Sequence, residues 1–140
     1  MYYLKTENSF DAAHFLSGYV GKCANLHGHR WKVEAQIKGE ALEADGEKRG
    51  MLVDFSDIKT ALKEVTDWFD HSMIYEKGSL QNATIQALQM EGFLLREVAF
   101  RPTAENFAKY FYKKLEERGY AVHQMVVYET PNNCAVYEEA

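Results

Sequence analysis

The stretch His27-Gly28-His29-Arg30-Trp31-Lys32-Val33-Glu34-Ala35-Gln36-Ile37-Lys38 alternates without a break. Side chains two apart on an extended strand point to the same side. One face therefore carries His27, His29, Trp31, Val33, Ala35 and Ile37, and the other carries Arg30, Lys32, Glu34, Gln36 and Lys38. This is the pattern of a half-buried strand whose inner face begins with two imidazoles. Two such rings in register can reach one ion, and Gly28 between them adds no bulk.

A third ligand is expected on a neighbouring strand, because a catalytic zinc-type ion usually takes three protein ligands and keeps one position open. From Tyr2 onward the even positions are the more apolar and end in Phe10, Ala12 and His14. Antiparallel pairing through the connection of residues 15–26 would set His14 beside His27. A lone histidine is more often a hydrogen-bonded core side chain, but three converging at one hairpin end favour a metal. Cys23 is open to three readings: a small buried hydrophobe, a fourth ligand closing a structural Cys/His3 site, or a thiol near the ion without binding it. The last is preferred, since three residues separate it from His27.

The 140 residues, 46% of them hydrophobic, suit one domain spanning 1–140. A net charge of -5 with no basic run argues against nucleic acid or anionic membrane as partner, and points to small molecules. No apolar run approaches the ~20 residues of a bilayer span. The start, Met1-Tyr2-Tyr3-Leu4-Lys5, lacks a signal-peptide pattern, so a cytoplasmic protein with Cys23 and Cys134 both free is expected, a disulfide between them being the minor alternative.

Downstream, residues 39–52 read as a turn or loop. Ile58, Ala61, Leu62, Val65 and Phe69 then fall at helical spacing behind Ser56, the expected cap. That helix is read as ending at Asp70-His71, where helix carbonyls and the adjacent carboxylate favour an imidazolium; His71 is a candidate proton carrier, although on the local sequence alone a solvated helix end is the better explanation of the pair. Asn82 to Met90 suits a short helix, and Phe93 to Phe100 an extended segment. A further helix opens after Pro102, with Thr103 as cap, Glu105 in the first turn and Gly119 past the end. Capping alone accounts for Thr103 and Glu105. Ala121 to Glu129 and Cys134 to Glu138 are strand-like, and Glu129, on the parity of Met125 and Val127, calls for a charged or hydrogen-bonded partner, or for water at the strand end.

The expected fold class is α+β, with four main strands forming an antiparallel sheet in the order strand, strand, helix, helix, strand, strand, and the two main helices on one face. Its unpaired edges suggest closure into a homo-oligomer.

Taken together, Phe10-Asp11-Ala12-Ala13-His14, Cys23 through His29, Val53-Asp54-Phe55, Asp70-His71, Pro102-Thr103-Ala104-Glu105-Asn106 and Tyr128-Glu129-Thr130 resemble the 6-pyruvoyltetrahydropterin synthase family nearly end to end. Three residues between Cys23 and His27 look like its branch of 6-carboxytetrahydropterin synthases, the lyases of queuosine and 7-deazapurine biosynthesis. The resemblance implies the tunnelling fold, whose subunits form barrels, commonly as a homohexamer with the pterin pocket between subunits. It also implies Zn2+ on His14, His27 and His29, Cys23 as proton acceptor, and a relay of His71, Asp70 and Glu129. Glu129 would also anchor the pterin, with Thr103 and Glu105 nearby. The implied reaction converts 7,8-dihydroneopterin triphosphate to 6-carboxy-5,6,7,8-tetrahydropterin. Ser72-Met73-Ile74-Tyr75 departs from the family's usual residues after Asp-His, and Lys22, Arg30, Lys32 and Arg101 are the candidates for holding phosphate. The competing expectations are 6-pyruvoyltetrahydropterin synthase activity and a non-catalytic module with a structural Cys/His3 zinc site.

Overall fold

The computed structural model describes residues 1–140. In chain order the elements are β1 (Tyr2–His14), a 3₁₀ turn (Lys22–Ala24), β2 (His27–Gly39), α1 (Phe55–Asp67), β3 (Ser72–Glu76), α2 (Asn82–Met90), β4 (Leu95–Val98), α3 (Ala104–Glu117), β5 (Val122–Thr130) and β6 (Asn133–Tyr137). The strands form one mixed sheet in the order β4-β3-β1-β2-β5-β6. The α+β class stands, but the four-stranded antiparallel description is corrected. Two further strands extend the sheet, and β1 pairs β3, and β3 pairs β4, in parallel.

β4 falls within the extended segment expected from Phe93 to Phe100, whereas β3 evades a pattern reading for a physical reason. It is short, and Ser72, Ile74 and Tyr75 are all buried, so no clean alternation survives. Parallel neighbours need a crossover, which α2 supplies. None of the α2 side chains is buried, so that helix adds nothing to the main core.

Antiparallel pairing of β1 with β2 runs from Tyr2 opposite Gly39 to His14 opposite His27. Directly opposed residues share a face, so Phe10, Ala12 and His14 lie beside Trp31, His29 and His27. The inner face packs on α1 through Ile58, Leu62 and Val65, and on α3 through Phe107, Phe111 and Leu115. Trp31, Phe107 and Phe111 are fully buried, and Phe10 and Trp31 stack at 6.0 Å between centroids. This aromatic layer forms the floor on which the histidines stand.

Asp54, not Ser56, caps α1. Its Oδ1 accepts from Ser56 N–H and Oγ–H, each at 2.8 Å, and the helix begins two residues earlier than a Ser56 cap would set it. α1 also closes earlier, at Asp67, and Asp70-His71 lies in the turn leading to β3. Thr103 caps α3 as expected, accepting Asn106 N–H at 3.2 Å, and Gly119 takes φ 91 beyond its end. No helix is long and apolar enough to cross a membrane.

Candidate active site

His14 closes β1, His27 opens β2 opposite it, and His29 follows on the same face. Glu129, near the end of β5, joins them, and one donor atom from each of the four lies within 4.8 Å of the others. His14 Nε2 is 3.1 Å from His27 Nε2, and Glu129 Oε1 is 2.9 Å from His29 Nε2 and 3.8 Å from His14 Nε2.

Second bonds set the tautomers. His14 Nδ1–H donates to Pro102 O at 2.7 Å, and His27 Nδ1–H to Asn25 O at 2.6 Å. Each ring then turns an Nε2 lone pair toward the other. Two lone pairs at that distance repel unless something positive lies between them. His29 Nε2 is buried and makes no aligned hydrogen bond, despite its proximity to Glu129. Burial lowers His14 to a pKa of about 4, with His27 and His29 pushing the same way. Burial also lowers His29, against the opposing pull of Glu129. His14 and His29 are therefore neutral at pH 7, the form in which imidazole binds a metal. Separations near 3 Å suit nitrogens each ~2.0–2.1 Å from one zinc-sized ion, so the donor set fits a metal.

Cys23 is free and half-buried in the 3₁₀ turn, and it is not part of this donor group. The fourth close donor is Glu129, so the closed Cys/His3 site is not assembled. Strand parity does not apply to Cys23, which precedes the strand. Cys134 is free and exposed, and no disulfide joins the two.

Asp70 and His71 form a second unit. His71 Nδ1–H donates to Asp70 Oδ2 at 2.8 Å, and Asp70 Oδ1 accepts Asp11 N–H at 2.9 Å. His71 N–H donates to Asp11 O at 2.6 Å. The Asp11 N–H holds the Asp70 carboxyl below its usual range, and the His71 bond assists. His71 takes φ 58, in the left-handed region that few residues other than glycine adopt. Its side chain is 77% exposed. Asp11 was not expected here. Its role follows from β1–β3 pairing, which no local pattern announces.

A groove of about 410 Å³ places His71 and His29 together with Asp11, Gly28 and Arg30. A second hollow, also about 410 Å³, shares His29 and Arg30 and extends to Lys32, Tyr128 and Glu129. Arg30 pairs with Asp11 at 3.1 Å, and Lys32 with Glu34 at 3.5 Å. Cys23, Thr103 and Glu105 line neither hollow. Thr103 and exposed Glu105 follow directly on Pro102, whose carbonyl holds His14.

The 6-pyruvoyl tetrahydropterin synthase family model matches residues 3–140. The chain belongs to that family. Among curated members, the 6-carboxy-5,6,7,8-tetrahydropterin synthase of Haemophilus influenzae is 37% identical, covering 99% of this chain and 100% of that protein. The protein of the same name from Synechocystis is 31% identical over 98% and 93%. Among solved structures, an uncharacterized protein from Wolinella succinogenes superposes with a TM-score of 0.84 at 19% identity, covering 99% of this chain and 98% of that one. The 6-pyruvoyl tetrahydropterin synthase of Caenorhabditis elegans gives 0.69 at 24% identity, with coverage of 99% and 96%. At those identities the structures establish the family fold alone.

Proposed function

We propose that this chain is a zinc-dependent lyase converting 7,8-dihydroneopterin triphosphate to 6-carboxy-5,6,7,8-tetrahydropterin, with release of triphosphate and acetaldehyde, in queuosine and related 7-deazapurine synthesis. The observation that carries this reading is the set of three converging imidazoles, two of them locked by backbone carbonyls with Nε2 facing a common centre. The names of the curated relatives support the product.

His14, His27 and His29 would hold Zn2+, which when bound would polarise a side-chain oxygen of the substrate and acidify the neighbouring C–H. Cys23 would accept that proton. His71 would return protons through Nε2, since Asp70 engages its Nδ1. Asp11 keeps Asp70 ionised and aimed at the ring. Glu129 offers two acceptor oxygens to the N–H donors of the amino-pyrimidine edge, with Thr103 and Glu105 nearby. Arg30 and Lys32, which line the hollow containing Glu129, would be the cations that meet phosphate.

The domain is read as a single tunnelling-fold unit, cytoplasmic, and assembled as a homohexameric barrel. Two features support assembly: β4 and β6 leave the sheet with open edges, and His71 is exposed while Cys23 lies outside its groove. A neighbouring subunit would bring the thiol and the relay together.

Incubation of the zinc-loaded protein with 7,8-dihydroneopterin triphosphate, followed by mass analysis, is expected to yield the 6-carboxy product. A 6-pyruvoyl product without it would overturn the assignment. Cys23→Ala should abolish turnover while zinc content and melting temperature stay at wild-type values.

A further inference from the structure

The connection between β1 and β2 is folded on itself yet has no buried residue from 15 to 26. Tyr19 N–H donates to Leu16 O at 3.2 Å, Ala24 N–H to Gly21 O at 3.2 Å, and Leu16 N–H to Cys23 O at 2.9 Å. Cys23 is thereby tied to the residue two beyond His14. Gly21 lets the Tyr19 ring close on the turn: a Cβ there would stand 2.7 Å from Tyr19 Cε1. Without core anchorage, such a segment keeps its place only through tethers from outside.

Arg101 is one such tether. Its Nη2 donates to Ser17 O at 3.0 Å, and its guanidinium carbon stands 5.7 Å from the Tyr19 ring centroid. The Arg101 backbone is itself held, because its carbonyl accepts Thr103 N–H at 2.8 Å and Asn106 Nδ2 at 2.9 Å. The next carbonyl, that of Pro102, receives His14 Nδ1–H. Arg101 Nε is buried without an acceptor. An unsatisfied buried N–H opposes stability, so the contacts this side chain does make call for a purpose other than generic bracing.

We propose that Arg101 is a positioning residue for Cys23. Its guanidinium holds Ser17 and Tyr19, and through the Tyr19–Gly21 contact and the Leu16–Cys23 bond it sets where the thiol stands relative to the three histidines. The same two-residue segment, Arg101-Pro102, thus orients a metal ligand with one group and the cysteine connection with another. The inference rests on the reading of Cys23 as proton acceptor.

The test uses zinc-loaded protein carrying Cys134→Ser, which leaves Cys23 as the sole thiol. Arg101→Gln is expected to lower kcat on the order of tenfold at unchanged KM, with zinc content unchanged, and to raise the rate of Cys23 alkylation by iodoacetamide several-fold. Arg101→Lys, which can still donate to Ser17 O, should recover part of both. Tyr19→Ala should reproduce the faster alkylation from the other end of the contact. Arg118→Gln, which breaks a surface ion pair with Glu64, should change neither. Alkylation of Arg101→Gln at the wild-type rate would overturn the proposal, as would loss of zinc and melting temperature in step with activity. A wild-type protein that does not convert the pterin triphosphate defeats the enzymatic reading instead, and the alkylation rates then still decide whether Arg101 places the thiol.

Discussion

β1 is flanked by two neighbours that serve it differently. On one side, β2 pairs with it antiparallel along its whole length and sets His27 and His29 against His14. On the other, β3 pairs in parallel at only Ala12 and Ala13, and the turn before it presents His71. His14 is buried, and a backbone carbonyl aims its ring. His71 is held at its backbone and at one ring nitrogen, while the rest of the ring meets solvent. The three imidazoles are therefore gathered within one chain, whereas the His71 ring is oriented by Asp70 and left open on its other side.

The largest effect should come from the histidine side. His29→Ala, or removal of the metal by a chelator, should cost several kcal/mol of transition-state stabilisation, roughly a thousandfold in kcat/KM. Turnover that survives metal removal would break the contrast. On the other side, His71→Ala is expected to lower kcat by about 10²–10⁴ with metal content unchanged, and Asp70→Asn by less, because the ring would lose its orientation but not its proton. Loss of metal in either variant would merge the two units.

The pH dependence of stability sharpens the same comparison. In the metal-free protein, His14 stays neutral when folded down to a pKa of about 4, against 6.5 when unfolded. Between those values the unfolded chain binds the additional proton, so stability should fall as pH drops from 6.5 toward 4, by up to about 3 kcal/mol. His14→Gln should flatten that slope in urea titrations. The smallest effect is expected at the α3 cap. Thr103→Ala should lower stability by about 1 kcal/mol, and a larger rise in KM than in melting behaviour would mark Thr103 as a substrate contact.

Where the chain was legible, the signal was local. The parity of Phe10, Ala12 and His14 and of His27, His29 and Trp31 survives folding because a strand is a two-residue repeat and both strands bury one face. α3 was readable from Thr103, its apolar spacing and Gly119. β3 was not, since a five-residue strand buried at three positions carries no period. The start of α1 was misplaced by two residues because Asp54 and Ser56 are both good caps, and only backbone geometry chooses between them.

By itself, then, the order of residues determined which side chains share a face, which segments are helical, and which three imidazoles can meet, because each follows from contacts between near neighbours or across one hairpin. Only the tertiary structure decided that Glu129, rather than Cys23, stands closest to those rings. The same holds for Asp11 orienting the Asp70–His71 pair and for Arg101 reaching across to Ser17 and Tyr19. Those contacts join residues 59 to 115 positions apart, and no short-range periodicity can encode a meeting that depends on how whole strands and helices are stacked.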